Sequence, residues 1–351
     1  MKVLIVTAGM AGGGTERVIS VLSRYLIENG NQVTIILTSD GRVEYELHKE
    51  ILIRQLGEKT NGKFLKRVGR IFALRRVIKS NKKQIVVSFG TETNLFTILA
   101  TRFLPNKVIV SERNDPNQCT YPKFRNFIYQ FADRFIFQTK EAQDCFPQKI
   151  AKRGIVIPNP LKSGLPNGST EPRNKKIVAV GRLEKQKNYK LLLDSFERFH
   201  KRHAEYQLVI FGKGELLKEL QEMTIEKEIQ EFVCFAGFSS NVQKELINAA
   251  MYVLSSDFEG ISNSLMEAMA MGVPSISTDC PIGGSALLIE NNINGMLVPV
   301  GDSKAFSEAM CKIVEDENFA KQLSENATTI AQKYSEQKIC DMWMQNILNS
   351  I

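Results

Sequence analysis

Three residue types are scarce in this 351-residue chain, which holds six cysteines, three histidines and one tryptophan. Cys119, Cys145, Cys234, Cys280, Cys311 and Cys340 form no C-x-x-C pair, which argues against a zinc site or disulfide framework and for a reducing compartment. They are expected as small buried apolar residues. His48, His200 and His203 lack metal-ligand spacing on a helix face, and the last two, set among basic residues, are expected at the surface. No D-x-D is present to hold a divalent cation. No apolar run approaches the roughly eighteen residues of a membrane span. The opening Met1–Val6 meets glycines too soon for a secretion signal. Nucleic-acid-binding motifs are missing, so nucleic acid is not an expected partner.

What is present fits a globular protein of two ordinary domains, with 43% hydrophobic and 24% charged residues. The net charge of +8 hides an asymmetry. Residues 1–165 hold 27 Lys and Arg against 13 Asp and Glu, a net of +14, and residues 166–351 carry a net of −6. The first half is therefore expected to face something anionic.

The stretch Asp257–Gly272 organises the second half. It follows the apolar run Met251–Leu254 and precedes the strand-like Pro274–Ser277. Leu265–Met271 consists of strong helix formers, Gly272 is a natural stop, and Ser262 or Asn263 suits the N-cap. This reads as strand, loop, helix, strand, with Glu259 in the loop and Glu267 within the helix. Two carboxylates flank a helix N-terminus whose free amides suit an anion. A ligand made of two polyols joined by phosphate, such as a nucleotide-sugar, fits that layout.

In chain order, residues 2–7 form a buried strand, Gly9–Glu16 a glycine loop, and Arg17–Glu28 an amphipathic helix. Such a loop lets backbone amides approach a phosphate or a crowded ligand. A dinucleotide fold with Asp40 as ribose acid is the rival, but the glycines do not fit G-x-G-x-x-G in register. Further strands are expected at Ile51–Leu56, Gln84–Phe89, Lys107–Ser111, Arg134–Gln138 and Ile155–Pro158, the βαβ rhythm of a parallel sheet.

From Lys59 to Lys83 there are ten basic residues and no acid, along an amphipathic helix at 64–80. Lys123–Phe131 repeats the pattern of bases and aromatics. The apolar faces of both helices are expected in the core. The bases suit an anionic membrane leaflet, each adding about 1 kcal/mol.

Residues 158–174 hold four prolines and two glycines and form the expected linker. A second alternating set starts at Lys176. Its loop Gly181–Asn188 brings Arg182 and Lys187 after a strand, a fork and a point charge for a diphosphate. Gly212, within Val209–Glu215, and Phe238, after Phe235, sit in strand-end loops able to admit a flat base. The domains are thus 1–165 and 166–333, two open α/β sheets facing a cleft, with residues 334–351 as a terminal helix carrying Trp343.

Glu259-x7-Glu267, Gly181-Arg182-Leu183 with Lys187-Asn188, Gly13-Gly14 with Glu16, and Asn291–Asp302 occur in that constellation. Together they resemble the retaining glycosyltransferases of family 4, and among them bacterial enzymes of capsule, lipopolysaccharide or lipid-linked oligosaccharide assembly. The resemblance implies the two-domain GT-B fold, an N-terminal acceptor domain, a C-terminal donor domain, and a terminal helix crossing back to the first. It implies transfer of a hexose or N-acetylhexosamine from a nucleotide-sugar, UDP-linked by expectation, to a lipid-linked glycan, with retention. The nucleotide-sugar is a substrate, and neither cofactor nor metal is implied. The expected place is the cytoplasm, peripheral to the inner face of the plasma membrane.

By the same likeness Glu259 contacts the donor sugar, Glu267 the ribose, and Arg182 and Lys187 the diphosphate, with amides near Ser262, Asn263, Ser264 and Leu265 assisting. Gly13 and Gly14 let the first domain approach the donor. Many relatives carry a histidine in the first-domain loop where this chain reads Ser111-Glu112-Arg113-Asn114-Asp115. Glu16, Glu112 and Arg113 are the candidates for acceptor contacts. Two other functions stand beside this one: a nicotinamide-dependent oxidoreductase and a non-catalytic sugar-nucleotide-binding protein.

Overall fold

Short runs of β-branched residues alternating with helices leave little choice but parallel pairing, because each strand must return by a crossover. The computed structural model describes all residues except 12, 40, 57–62, 81–83, 167, 169–171, 240 and 349–351, and the side chains of 63–66 and 348. Asp40, the ribose acid of the dinucleotide alternative, lies outside the described residues. The chain forms two units, Met1–Pro160 with Glu336–Ile351, and Leu161–Ser335.

The first unit is a seven-stranded parallel sheet ordered β3-β2-β1-β4-β5-β6-β7. Its strands are β1 Lys2–Thr7, β2 Gln32–Leu37, β3 Leu52–Gln55, β4 Ile85–Phe89, β5 Lys107–Ser111, β6 Arg134–Phe137 and β7 Gly154–Val156. Four helices recur below: α1 Gly14–Glu28, α2 Lys63–Lys79, α3 Thr91–Thr101 and α4 Pro122–Tyr129. α2 packs on α3 and α3 on α4, whereas α1 packs on the terminal helix Glu336–Leu348. The strand order reverses between β1 and β4, so the glycine loop after β1 leaves the sheet at its switch point.

The second unit is a six-stranded parallel sheet ordered β10-β9-β8-β11-β12-β13. Its strands are β8 Lys176–Val180, β9 Gln207–Phe211, β10 Val233–Gly237, β11 Met251–Leu254, β12 Ser275–Thr278 and β13 Met296–Val298. Leu192, Phe196 and Phe199 of helix Tyr189–His200 and Phe306 and Met310 of helix Ser303–Glu315 are fully buried in its core. Arg173 of the expected linker is tied down, donating to the carbonyls of Ala249 and Gly272.

Trp343 anchors the terminal helix to the first unit. It is fully buried, 5.5 Å from the Phe89 ring, while Arg24 pairs with Glu336 and the Tyr25 hydroxyl donates to Asp341. Trp343→Ala is expected to lower unfolding free energy by about 3–5 kcal/mol, read from chemical denaturation.

Three expectations about burial are corrected. His200 is buried against Phe232, ring centroids 4.0 Å apart, because its position on helix Tyr189–His200 faces the core, and His203 is half-buried on Phe199. Cys234 is exposed, its side chain standing on the solvent face of β10, while Cys280, Cys311 and Cys340 are buried. Along α2 and α4 the core takes Leu74, Ile78 and Ile128 but leaves Phe72, Phe124 and Phe127 out, at 68%, 55% and 59% exposure. Among the described residues no helix is long and apolar enough to cross a membrane.

Burial pushes the His200 pKa below its ordinary 6.5, so the folded state favours the neutral ring. Its contribution to stability is full above about 6.5 and falls as pH drops beneath it. His200→Phe should flatten that part of the stability–pH curve, measured from denaturation midpoints at a series of pH values.

Candidate active site

Strands β8 and β11 are neighbours at the switch point of the second sheet, and the two motif loops leave from their carboxyl ends. This is where open α/β sheets bind ligands. Several bonds hold the loops together. The Asp257 amide donates to the Gln186 carbonyl at 2.9 Å, Gln186 Nε2 to the Phe258 carbonyl at 3.0 Å, and Ser255 Oγ to the Lys187 carbonyl at 2.8 Å. Asn188 joins both: its amide nitrogen donates to Asp257 at 2.6 Å while its oxygen caps helix Tyr189–His200 at the Leu191 amide. It does so at φ 43°, left-handed backbone that asparagine tolerates better than most residues.

The laced loops place Lys187 against Glu259. The two form an ion pair with side chains only 13% and 14% exposed, and Ser256 Oγ adds a bond to the same carboxylate oxygen at 3.2 Å. Glycines allow the close approach. A side chain on Gly212 would strike the Gly181 carbonyl, and one on Gly284 would strike that of Gly260, next to Glu259. Burial raises the Cys280 thiol to about 11, and the Glu259 charge adds to it.

Helix Asn263–Ala270 begins where the composition placed it. Ser262 is the N-cap, accepting from the Leu265 amide at 3.4 Å. Ser264 Oγ sits 2.7 Å from the Tyr252 hydroxyl and 3.1 Å from Ser262 Oγ, which fixes the helix start to β11. Asn263 is half-buried at that start and Leu265 fully buried behind it. Glu267, one helical turn on, is 4% exposed, and its carboxylate accepts from Gln243 Nε2 at 2.8 Å.

Arg182 and Lys187 have different partners: Lys187 is held by Glu259, and Arg182 is not. Its guanidinium pairs with Glu184 of its own loop at 3.2 Å and stands exposed. Phe238 is an open ring beyond β10, which ends on Gly237, and Gly212 at the end of β9 lies under Gly181.

In the first unit Gly13 caps α1, and its carbonyl accepts from the Tyr45 hydroxyl at 2.7 Å. A side chain on Gly13 would run into the Glu16 carboxylate, which lies in the first turn of α1 where the helix end favours an acid. Gly14 opens the helix and is exposed. Tyr45 was not singled out by its sequence context, and only the folding back of residues 42–46 onto the glycine loop reveals it.

Glu112 is set aside as an acceptor contact. It is 2% exposed and accepts from Thr91, Asn94 and Tyr129, so its oxygens are spent inside the unit. Burial raises its pKa, and these donors oppose the rise. Arg113 lies between the Phe89 and Trp343 rings, at 5.4 and 5.3 Å, and donates to Asn159 at 3.0 Å. Burial lowers its pKa to about 9.

Among the described residues, one trio of metal-type ligands brings its atoms within 4.8 Å: His203, Cys311 and Glu315. Arg202 already pairs with that glutamate at 2.7 Å, and none of the three belongs to the motif loops.

Two open parallel sheets with ligand loops at their switch points define the class: an α/β protein of the GT-B type. The comparisons carry the assignment further. Residues 12–162 match the model of Glycosyltransferase Family 4 and residues 166–330 that of Glycosyl transferases group 1, and the chain belongs to this family of glycosyltransferases. It is 27% identical over 358 residues to the GalNAc-alpha-(1->4)-GalNAc-alpha-(1->3)-diNAcBac-PP-undecaprenol alpha-1,4-N-acetyl-D-galactosaminyltransferase of Campylobacter jejuni subsp. jejuni serotype O:2, covering 99% of this chain and 98% of that protein. It is 23% identical to the amylovoran biosynthesis glycosyltransferase AmsD of Erwinia amylovora, over 99% of both chains. The crystal structure of Anabaena Alr3699/HepE in complex with UDP-glucose superposes with a TM-score of 0.88 over 100% of both chains, at 17% identity.

Proposed function

We propose that this chain moves a hexose or N-acetylhexosamine from a UDP-sugar to a lipid-linked glycan or polysaccharide precursor, with retention and without a divalent metal. The substrate named for the Campylobacter relative and the UDP-glucose complex of HepE support this reading. The observation that carries it is the pairing of Lys187 with Glu259 where two loops leave adjacent strands at the switch point.

In this reading the bond between the anomeric carbon and the diphosphate oxygen breaks while an acceptor hydroxyl oxygen bonds to that carbon from the same face. The hydroxyl proton passes to the departing phosphate, and Lys187 balances the charge that develops there. Arg182, exposed on the same loop, swings from Glu184 to the diphosphate. Glu259 holds donor-sugar hydroxyls and so orients Lys187, while Glu267 binds the ribose hydroxyls and the amides at Ser262–Leu265 face phosphate. Gly212 and Phe238 border the base. Gly13, Gly14 and Glu16 supply first-unit contacts, and the cationic first half lies along the inner face of the plasma membrane in the cytoplasm.

The test is a panel of nucleotide-sugars with thermal shift and product analysis, run with and without a chelator. UDP-sugars should raise the melting temperature and be hydrolysed slowly without acceptor, at a rate the chelator leaves unchanged. Stabilisation by NAD in place of UDP-sugars, or binding of a UDP-sugar with no turnover under any condition, would overturn it.

A further inference from the structure

Of the aromatic residues left out of the core, Phe103, Phe127 and Phe131 are linked by contacts on one ledge of the first unit, with Phe124 a turn earlier on α4. Phe124, Phe127 and Phe131 follow one another at three- and four-residue steps along α4 and just past its end, on the side of the helix away from the buried Tyr129. Phe127 and Phe131 meet edge to face at 5.7 Å. The Arg102 guanidinium lies over Phe131 at 4.1 Å and over Phe103 at 4.8 Å, so one cation bridges α4 to the loop after α3.

Phe103 is the telling residue. Its ring is 90% exposed, and its backbone is left-handed at φ 61°, an unfavourable conformation for a bulky residue. The neighbourhood enforces it: Arg75 donates to the carbonyls of Ala100 and Arg102 at 2.8 and 2.7 Å, and the Leu104 amide closes on Thr101. The fold thus bears backbone strain to hold an apolar ring in water.

The ledge is also free of negative charge. Residues 93–111 and 116–132 contain no Asp or Glu, and Lys123 and Arg134, close to these phenylalanines in sequence, are exposed. The nearby Asp133 is engaged by Lys107 and by the Val108 amide. Aromatic rings and cations interleaved on one surface match the interface of an anionic bilayer, where rings settle among headgroups and bases meet lipid phosphate.

We propose that the ledge of Phe103, Arg102 and the outer face of α4 is a bilayer-entering surface for anionic lipid. It rests on the reading that the acceptor is lipid-linked, and it adds ring insertion to what charge alone would provide.

The test uses the full chain with vesicles of phosphatidylglycerol and phosphatidylcholine, with phosphatidylcholine alone, and with a single-stranded oligonucleotide. The chain should sediment with the anionic vesicles, and added salt should weaken this without abolishing it, since rings are not screened. Phe103→Trp should show blue-shifted emission on adding those vesicles, over a constant background from buried Trp343. Phe103→Ser with Phe127→Ser, both at exposed positions, should lower partitioning about tenfold and leave UDP-sugar hydrolysis unchanged. Equal partitioning of the double variant, unshifted emission from Phe103→Trp, or binding to the oligonucleotide but not to vesicles would overturn the proposal. The vesicles contain no acceptor, so failure to dock and failure to transfer sugar are read separately.

Discussion

Lys187→Ala should lower the rate of sugar transfer about a hundredfold or more, the usual loss when a preorganised charge partner of a developing anion is removed. The protein should remain folded, with a cooperative melt. The reason lies in placement: the ammonium is held by Glu259 within a loop laced by Gln186, Asn188 and Ser255, so little reorganisation is needed when charge appears. Arg182→Ala should also lose rate, but by less and with no change in melting temperature, because an exposed pair such as Arg182 with Glu184 is worth about 0–1 kcal/mol. Steady-state kinetics of both variants, with circular dichroism as the folding control, check the ranking. Near-normal turnover in Lys187→Ala would remove it from the leaving-group role.

Gly284→Ala is the second large effect. The added methyl would overlap the Gly260 carbonyl, which is backbone and cannot rotate away, and would press on the Glu259 carbonyl as well. Either helix Gly284–Leu288 or the Glu259 loop must shift. Misplacement by about 1 Å can cost a hundredfold in rate. The variant should therefore lose UDP-sugar hydrolysis to a degree similar to Lys187→Ala while also melting lower. A Gly30→Ala control, where nothing lies within 4 Å but φ is 76°, should cost stability alone.

The strand–loop–helix–strand around Glu259 and Glu267 was legible because every signal agreed: apolar strands, a serine cap, helix formers and a glycine stop. The rhythm of parallel strands was legible for the same reason. β13 was not read as a strand, since three residues between a turn and a Pro offer no period. The partner of Lys187 was also hidden, because residues 187 and 259 meet only through the adjacency of β8 and β11. Glu112 misled for a physical reason. A carboxylate in a loop after a strand reads as available, yet Thr91, Asn94 and Tyr129 from two helices close over it. On α2 and α4 the periodicity of apolar residues was real, but periodicity does not tell which of two apolar stripes the core will take. Leu74 and Ile78 went in, and Phe72, Phe124 and Phe127 stayed out.

The measurement closest to the central claim is a crystal structure with uridine diphosphate bound. The account predicts the ribose hydroxyls within hydrogen-bond distance of the Glu267 carboxylate, and the diphosphate against Lys187 at the start of helix Asn263–Ala270. Nucleotide bound elsewhere, or a protein that takes up none while its loops stay closed by Lys187 and Glu259, would contradict it.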